Sequence, residues 1–117
     1  MRIVVLLTVL ALLPALALAA DKRVYRIDSL IATRTNGVLR IEAKGAVQSG
    51  GWKNARLHVL HSDKNAVTAE FVAAPPAAGM TVIEALVPVE AETRIKARAP
   101  SVHVVAEANE MTTQVLH

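Results

Sequence analysis

The single tryptophan, Trp52, stands directly behind Gly50-Gly51 in the stretch Gly45–Leu60, GAVQSGGWKNARLHVL. An indole beside two glycines supports two kinds of chemistry. As a contact residue it is of the type that dominates binding hot spots. As a core residue it plugs one end of a sheet with its N–H bonded to a carbonyl, and the glycines let the backbone bend beneath the ring. The general tendency of tryptophan to be mostly buried favours the core reading. A second set is basic. Arg94, Lys96 and Arg98 recur at every second position, so a strand would carry them on one face. Such a row suits an anionic partner: lipid headgroups, cell-wall acid groups or an acidic protein. It suits equally an edge strand whose charges keep other chains from pairing with it. Glu90 and Glu92 share the parity of the row and dilute any single-sign patch, which favours edge protection.

His58, His61 and His103 raise the question of a metal site. Residues three apart on a strand point to opposite faces, so His58 and His61 do not meet on one ion without a bulge. His58 with His103 requires their strands to be neighbours. A zinc site takes three or four converging ligands, so solvent-facing histidines are expected, with no metal and no other cofactor assigned. Catalysis has less to stand on. Ser29, Ser49, Ser62 and Ser101 lack the glycine pattern of a nucleophile elbow. Glu90 and Glu92 are the nearest thing to an acid–base pair, but neighbours on an exposed strand have no burial to separate their pKa values. There is no phosphate loop or dinucleotide fingerprint. One Trp, one Tyr and one Phe make no stacking platform for sugars or single-stranded nucleic acid. The expectation is a non-enzyme.

These residues must be positioned by a small domain. Met1-Arg2 supplies a positive start, Ile3 to Leu18 is apolar apart from Thr8 and Pro14, and Ala17-Leu18-Ala19-Ala20 offers small residues for cleavage. Residues 1–20 therefore read as a signal peptide. A membrane anchor is the rival, but Pro14 interrupts the run and Lys22-Arg23 lie on the side that would have to cross. Residues 21–117 make a single domain by length, expected to be periplasmic or secreted with no membrane span after processing. The 13 basic residues less Arg2 leave 12 against 10 acidic, too even for a nucleic-acid face. Without cysteine, the domain cannot use the disulfides on which many small exported domains rely, and aliphatic burial must hold it.

The mature chain reads as seven or eight short alternating strands. Val24–Thr33 and Val38–Ala46 flank Asn36-Gly37, the strongest short-range hairpin signal. That turn predicts Thr35 opposite Val38, Ala32 opposite Ile41 and Leu30 opposite Ala43. Leu30, Ala32, Leu39, Ile41 and Ala43 then share one face, and Arg40, Glu42 and Lys44 the other. Tyr25, Ile27 and Ile31 fall out of phase, which predicts either a bulge or two partly covered faces. Further strands are expected over Ala55–His61, Ala66–Ala74, Thr81–Val87, Thr93–Ala99 and Ser101–Ala108, with Met111–Leu116 an eighth strand or a frayed tail. Pro75–Gly79 should be an exposed loop, and Pro88 should interrupt pairing. This pattern predicts an all-β, antiparallel β-sandwich, immunoglobulin-like in size, with a small barrel as the alternative.

The export signal, Ala43-Lys44-Gly45-Ala46-Val47, Ser49-Gly50-Gly51-Trp52, Asn54-Ala55-Arg56-Leu57 and a late valine-rich strand together resemble small, uncharacterised periplasmic proteins of bacteria. The resemblance implies an immunoglobulin-like sandwich across most of the mature domain. It implies no activity and transfers no site residues, and the immunoglobulin cysteine pair is absent. The function expected is binding to a protein or cell-envelope component through loops Ser49–Asn54 and Pro75–Gly79. The alternatives are inhibition of an envelope protease or lysozyme through the Pro75-Pro76 loop, whose prolines lower the ordering cost of binding, and, last, a histidine-based metal-binding protein.

Overall fold

The structure, a computed structural model, describes residues 20–117. The signal peptide expected over residues 1–20 therefore lies, apart from Ala20, outside the described residues. These are all-β, and no helix long and apolar enough to cross a membrane occurs among them. The strands are β1 (Lys22–Arg23), β2 (Arg26–Thr35), β3 (Val38–Val47), β4 (Lys53–Ser62), β5 (Ala66–Ala74), β6 (Val87–Lys96), β7 (Ser101–Val105) and β8 (Glu110–Leu116).

The β2–β3 hairpin follows its turn. Asn36 and Gly37 have φ of 52° and 79°, as a type I′ turn requires. The register pairs Thr35 with Val38, Ala32 with Ile41 and Leu30 with Ala43, as the sequence predicts. Leu30, Ala32, Leu39, Ile41 and Ala43 are buried. The phase break in the first strand is a bulge: the register shifts between Ile27 and Ser29, so Ile27 turns inward while Ile31 is left exposed. The strand also begins later than the expected Val24, at Arg26, and Lys22–Arg23, which lay outside the expected strands, pairs with Ala73 and Val72 of β5.

The hydrogen-bonded path runs β4-β5-β7-β8-β2-β3-β6, with β1 beside the far end of β5. It curls into a half-barrel whose ends, β4 and β6, approach one another without a ladder. Two details correct the expected arrangement. The sheet is mixed, since β2–β8 and β5–β7 are parallel. After β6 the chain crosses the curl through residues 97–100, so β7 enters beside β5 and runs in its direction. Arg34 holds this crossover by donating to the carbonyls of Ala97 and Ala99 at 3.1 and 2.9 Å. The second correction concerns the link between halves. β8 joins β7 to β2, so the strands form one continuous path, and the finer immunoglobulin-like description is not carried by the pairing.

Phe71, Val67, Val102, Val104, Leu39 and Ile41 fill the interior and are shut off from solvent. At the crest opposite the hairpin turn, Asn109 completes the β2 bulge. Its amide accepts from Ile27 N–H at 2.8 Å and donates to Ile27 C=O at 2.9 Å.

The stretch expected as a strand over Thr81–Val87 is instead irregular up to Leu86. Its spacing of Ile83, Ala85 and Val87 suits a strand, but the segment joins no ladder, and its backbone link to another element is the bond from Gly50 N–H to the Ile83 carbonyl. The strand β6 then runs unbroken from Val87 through Pro88, which pairs with Ala46. Proline is tolerated there because β6 is an end strand. The strand expected over Thr93–Ala99 is the second half of β6 and stops at Lys96.

Candidate functional site

The sequence places Ser49–Asn54 and Pro75–Gly79 in separate loops, and the fold brings them together. Gly50 N–H donates to the Ile83 carbonyl at 3.0 Å, which pins the irregular segment 75–86 across the β3–β4 connection. Gly51 has φ of 88°, and a Cβ there would lie 3.0 Å from Val82 Cγ1, 3.1 Å from Pro76 Cβ and 3.3 Å from Met80 Sδ. Glycine at 51 thus serves both the left-handed turn and the close approach of the second loop. Ser49, buried, donates its hydroxyl to the Gly50 carbonyl at 2.9 Å.

This double loop leaves apolar side chains in solvent. Ile83 is 74% exposed, and Met80 and Leu86 are 47% and 48% exposed. Three large aliphatic residues bared within seven positions of one segment are unusual beside a core that buries its valines completely. Trp52 adjoins the segment through Gly51. It is half-buried, packs on the edge of the core, and lines two shallow concavities: one with Lys22, Arg23, Gln48 and Glu107, the other with Lys53–Ala55, Ala73, Val89 and Glu90. Its position is thus intermediate between plug and surface anchor. The contribution of Met80, Ile83 and Leu86 was hidden at the level of sequence, because Thr81–Val87, with Ile83, Ala85 and Val87 two apart, reads as strand.

The basic row divides. Arg94 and Lys96 share the outer face of β6, and Arg98 lies beyond its end. Glu92 interrupts the row, accepting from Arg40 at 3.1 Å and from Arg94 at 3.0 Å. These contacts, the Arg40 hydrogen bond first, hold its carboxyl below the ordinary glutamate value, and the same pair raises Arg40. At about 3.3 Å per residue along a strand, Arg94 stands roughly 13 Å from Glu90, the end of β6 near Trp52. The indole and the basic row are therefore separate features.

The histidines do not converge. His58 on β4 and His103 on β7 lie on opposite sides of β5, so their strands are not neighbours. No group of three or more His, Cys, Asp or Glu side chains with metal-binding geometry occurs among the described residues. Each of these three histidines instead has a local carboxylate. His58 Nδ1 is 3.2 Å from Glu70, His61 Nε2 is 3.0 Å from Asp63, and His103 Nε2 is 2.9 Å from Glu110.

His58 belongs to an ionic cluster on the outer face of β1, β4 and β5, around a concavity of about 310 Å³ floored by Val72. Arg23 meets Glu70 at 3.1 Å, and Arg56 pairs with Asp21. The His58 hydrogen bond, followed by Arg23, lowers the Glu70 pKa against the effect of partial burial. The concavity is lined by charged and imidazole side chains over Val72, with no hydroxyl or thiol among its described lining residues. His103 does meet a hydroxyl: Thr112 Oγ1 lies 2.6 Å from Nδ1. Hydroxyl, imidazole and carboxylate stand in a row there, yet on the open face of a β7–β8 rung.

The chain shows no match to any family model, curated protein or solved structure with which it was compared.

Proposed function

We propose that the protein is an exported, non-enzymatic binding module that engages a protein or another component of the cell envelope. Its contact surface is the end of the half-barrel built from Ser49–Asn54 and the whole segment 75–86. The observation that supports this most is the exposure of Ile83, Met80 and Leu86 on a segment fixed to Gly50 and Gly51. Apolar residues kept in water on an anchored loop cost solubility and add nothing to the core, and clustered exposure of this kind marks contact surfaces. Anchoring also lowers the ordering cost of association. Trp52 at the margin supplies an amphipathic residue of the type enriched where partners meet.

Capture from an envelope extract tests the reading. The wild-type chain, immobilised, is expected to retain a component that the variant Ile83→Asp/Leu86→Asp does not. Both proteins should melt within about 2 °C of each other, because exposed positions carry little stability. Retention of the same components in equal yield by the variant would remove the loop from the contact surface.

A further inference from the structure

We infer that β6 pairs antiparallel with β6 of a second copy of this chain, extending the sheet across a two-fold axis at Thr93. Three observations meet here. β6 ends the hydrogen-bonded path, with β3 on one side and no ladder on the other. Its inward row, Val87, Val89, Ala91, Thr93 and Ile95, is only half covered, because β4 approaches without pairing. Its outer face reads Glu90, Glu92, Arg94, Lys96, acidic at the start and basic at the end.

That order is self-complementary in one register. When Thr93 faces Thr93 of the second copy, Glu92 faces Arg94 and Glu90 faces Lys96, and the two-fold axis repeats each pair. Sliding the axis to Glu92 sets Glu92 against itself, and sliding it to Arg94 sets Arg94 against itself. Directly opposed like charges destabilise a strand pair and opposite charges stabilise it, so the charges that repel unrelated strands select this one. On the inner face the same register sets Ala91 opposite Ile95 and covers the half-exposed row. A closed two-fold pairing also uses up the open β6 ladder of both copies, so this edge does not propagate into a longer array. An interface built on one strand pair is smaller than a standard one, which buries about 1,600 Å² in total, so the dimer forms in the micromolar range and depends on concentration.

Glu90 and Lys96 are the residues to change, since neither is tied into the Glu92–Arg94–Arg40 contacts. Sedimentation equilibrium of the full chain, purified as the cell processes it, should show monomer and dimer exchanging across tens to hundreds of micromolar. Glu90→Lys and Lys96→Glu should each weaken the dimer at least fivefold, and Glu90→Lys/Lys96→Glu together should restore it to within about twofold, since the exchange leaves opposite charges facing. A monomer throughout that range overturns the inference. So does a dimer indifferent to Glu90→Lys, or one that the double exchange fails to restore. Melting curves of the three variants, expected to overlay the wild type, show that each remains folded.

Discussion

The strand β3 and the segment 81–86 both carry apolar residues two apart, Leu39, Ile41 and Ala43 in one and Ile83 and Ala85 in the other, and they end in opposite places. In β3 every second side chain is sealed in the core, and both edges are hydrogen-bonded, to β2 and to β6. In 81–86 the largest side chain, Ile83, is the most exposed large hydrophobic residue described. Period-two patterning states which face a strand would bury, but a strand exists only where a neighbour accepts its N–H and C=O groups. β3 finds two such neighbours, and 81–86 finds one backbone bond, to Gly50. Cohesion and availability are thus divided between two stretches that both read as strand.

Substitutions should separate the two stretches. The largest effect is expected at Phe71, which packs with β3 residues in the same core and has no solvent exposure. Phe71→Ala should cost about 3–5 kcal/mol by chemical denaturation; a loss similar to that of a surface change would mean that the core is not where the burial pattern puts it. Asn109→Ala comes next. It strips both partners from Ile27 at the bulge, but water reaches the site, so roughly 1 kcal/mol is expected. An unchanged denaturation midpoint would show that the bulge holds itself.

The smallest effect is one of pH. Glu70 lies below its ordinary value in the folded chain, chiefly through the His58 hydrogen bond. Its stabilising contribution is therefore complete above about pH 4.3, the unfolded glutamate value, and is lost as pH falls through the lowered native value. Asp63 behaves alike, held down by the backbone N–H groups of Ala66 and Asn65. Melting temperature should stay level from pH 7 to about pH 5 and then drop, and Glu70→Gln should make the drop shallower. Equal acid slopes for the two proteins would remove Glu70 from the linkage.

The hairpin was legible because Asn36-Gly37 fixes the register by itself, and each apolar residue then has only one face available. The strand expected over Ala66–Ala74, which β5 matches at both ends, was legible from its own local pattern. The mixed pairing was not, because β2–β8 and β5–β7 join residues far apart in the chain, and no local pattern encodes which edge a returning strand will take. Pro88 misled for a related reason: its cost depends on whether its strand is central or terminal. At the candidate site, Gly50, Gly51 and Trp52 stood out by type. The partner loop did not, since Ile83 and Leu86 reveal themselves only once the ladder is known to exclude them. The Asp21–Arg56 and Arg23–Glu70 pairs likewise depend on β1 reaching β5.

Native-state amide exchange, read residue by residue, tests the division most directly. The amides of Val38–Val47 should open only with global unfolding, and those of Thr81–Leu86 should exchange faster by several orders of magnitude, with the Gly50 amide protected by its bond to Ile83. Protection of Thr81–Leu86 comparable to that of β3 would mean that this segment is paired after all, and would leave the apolar contact surface without its loop.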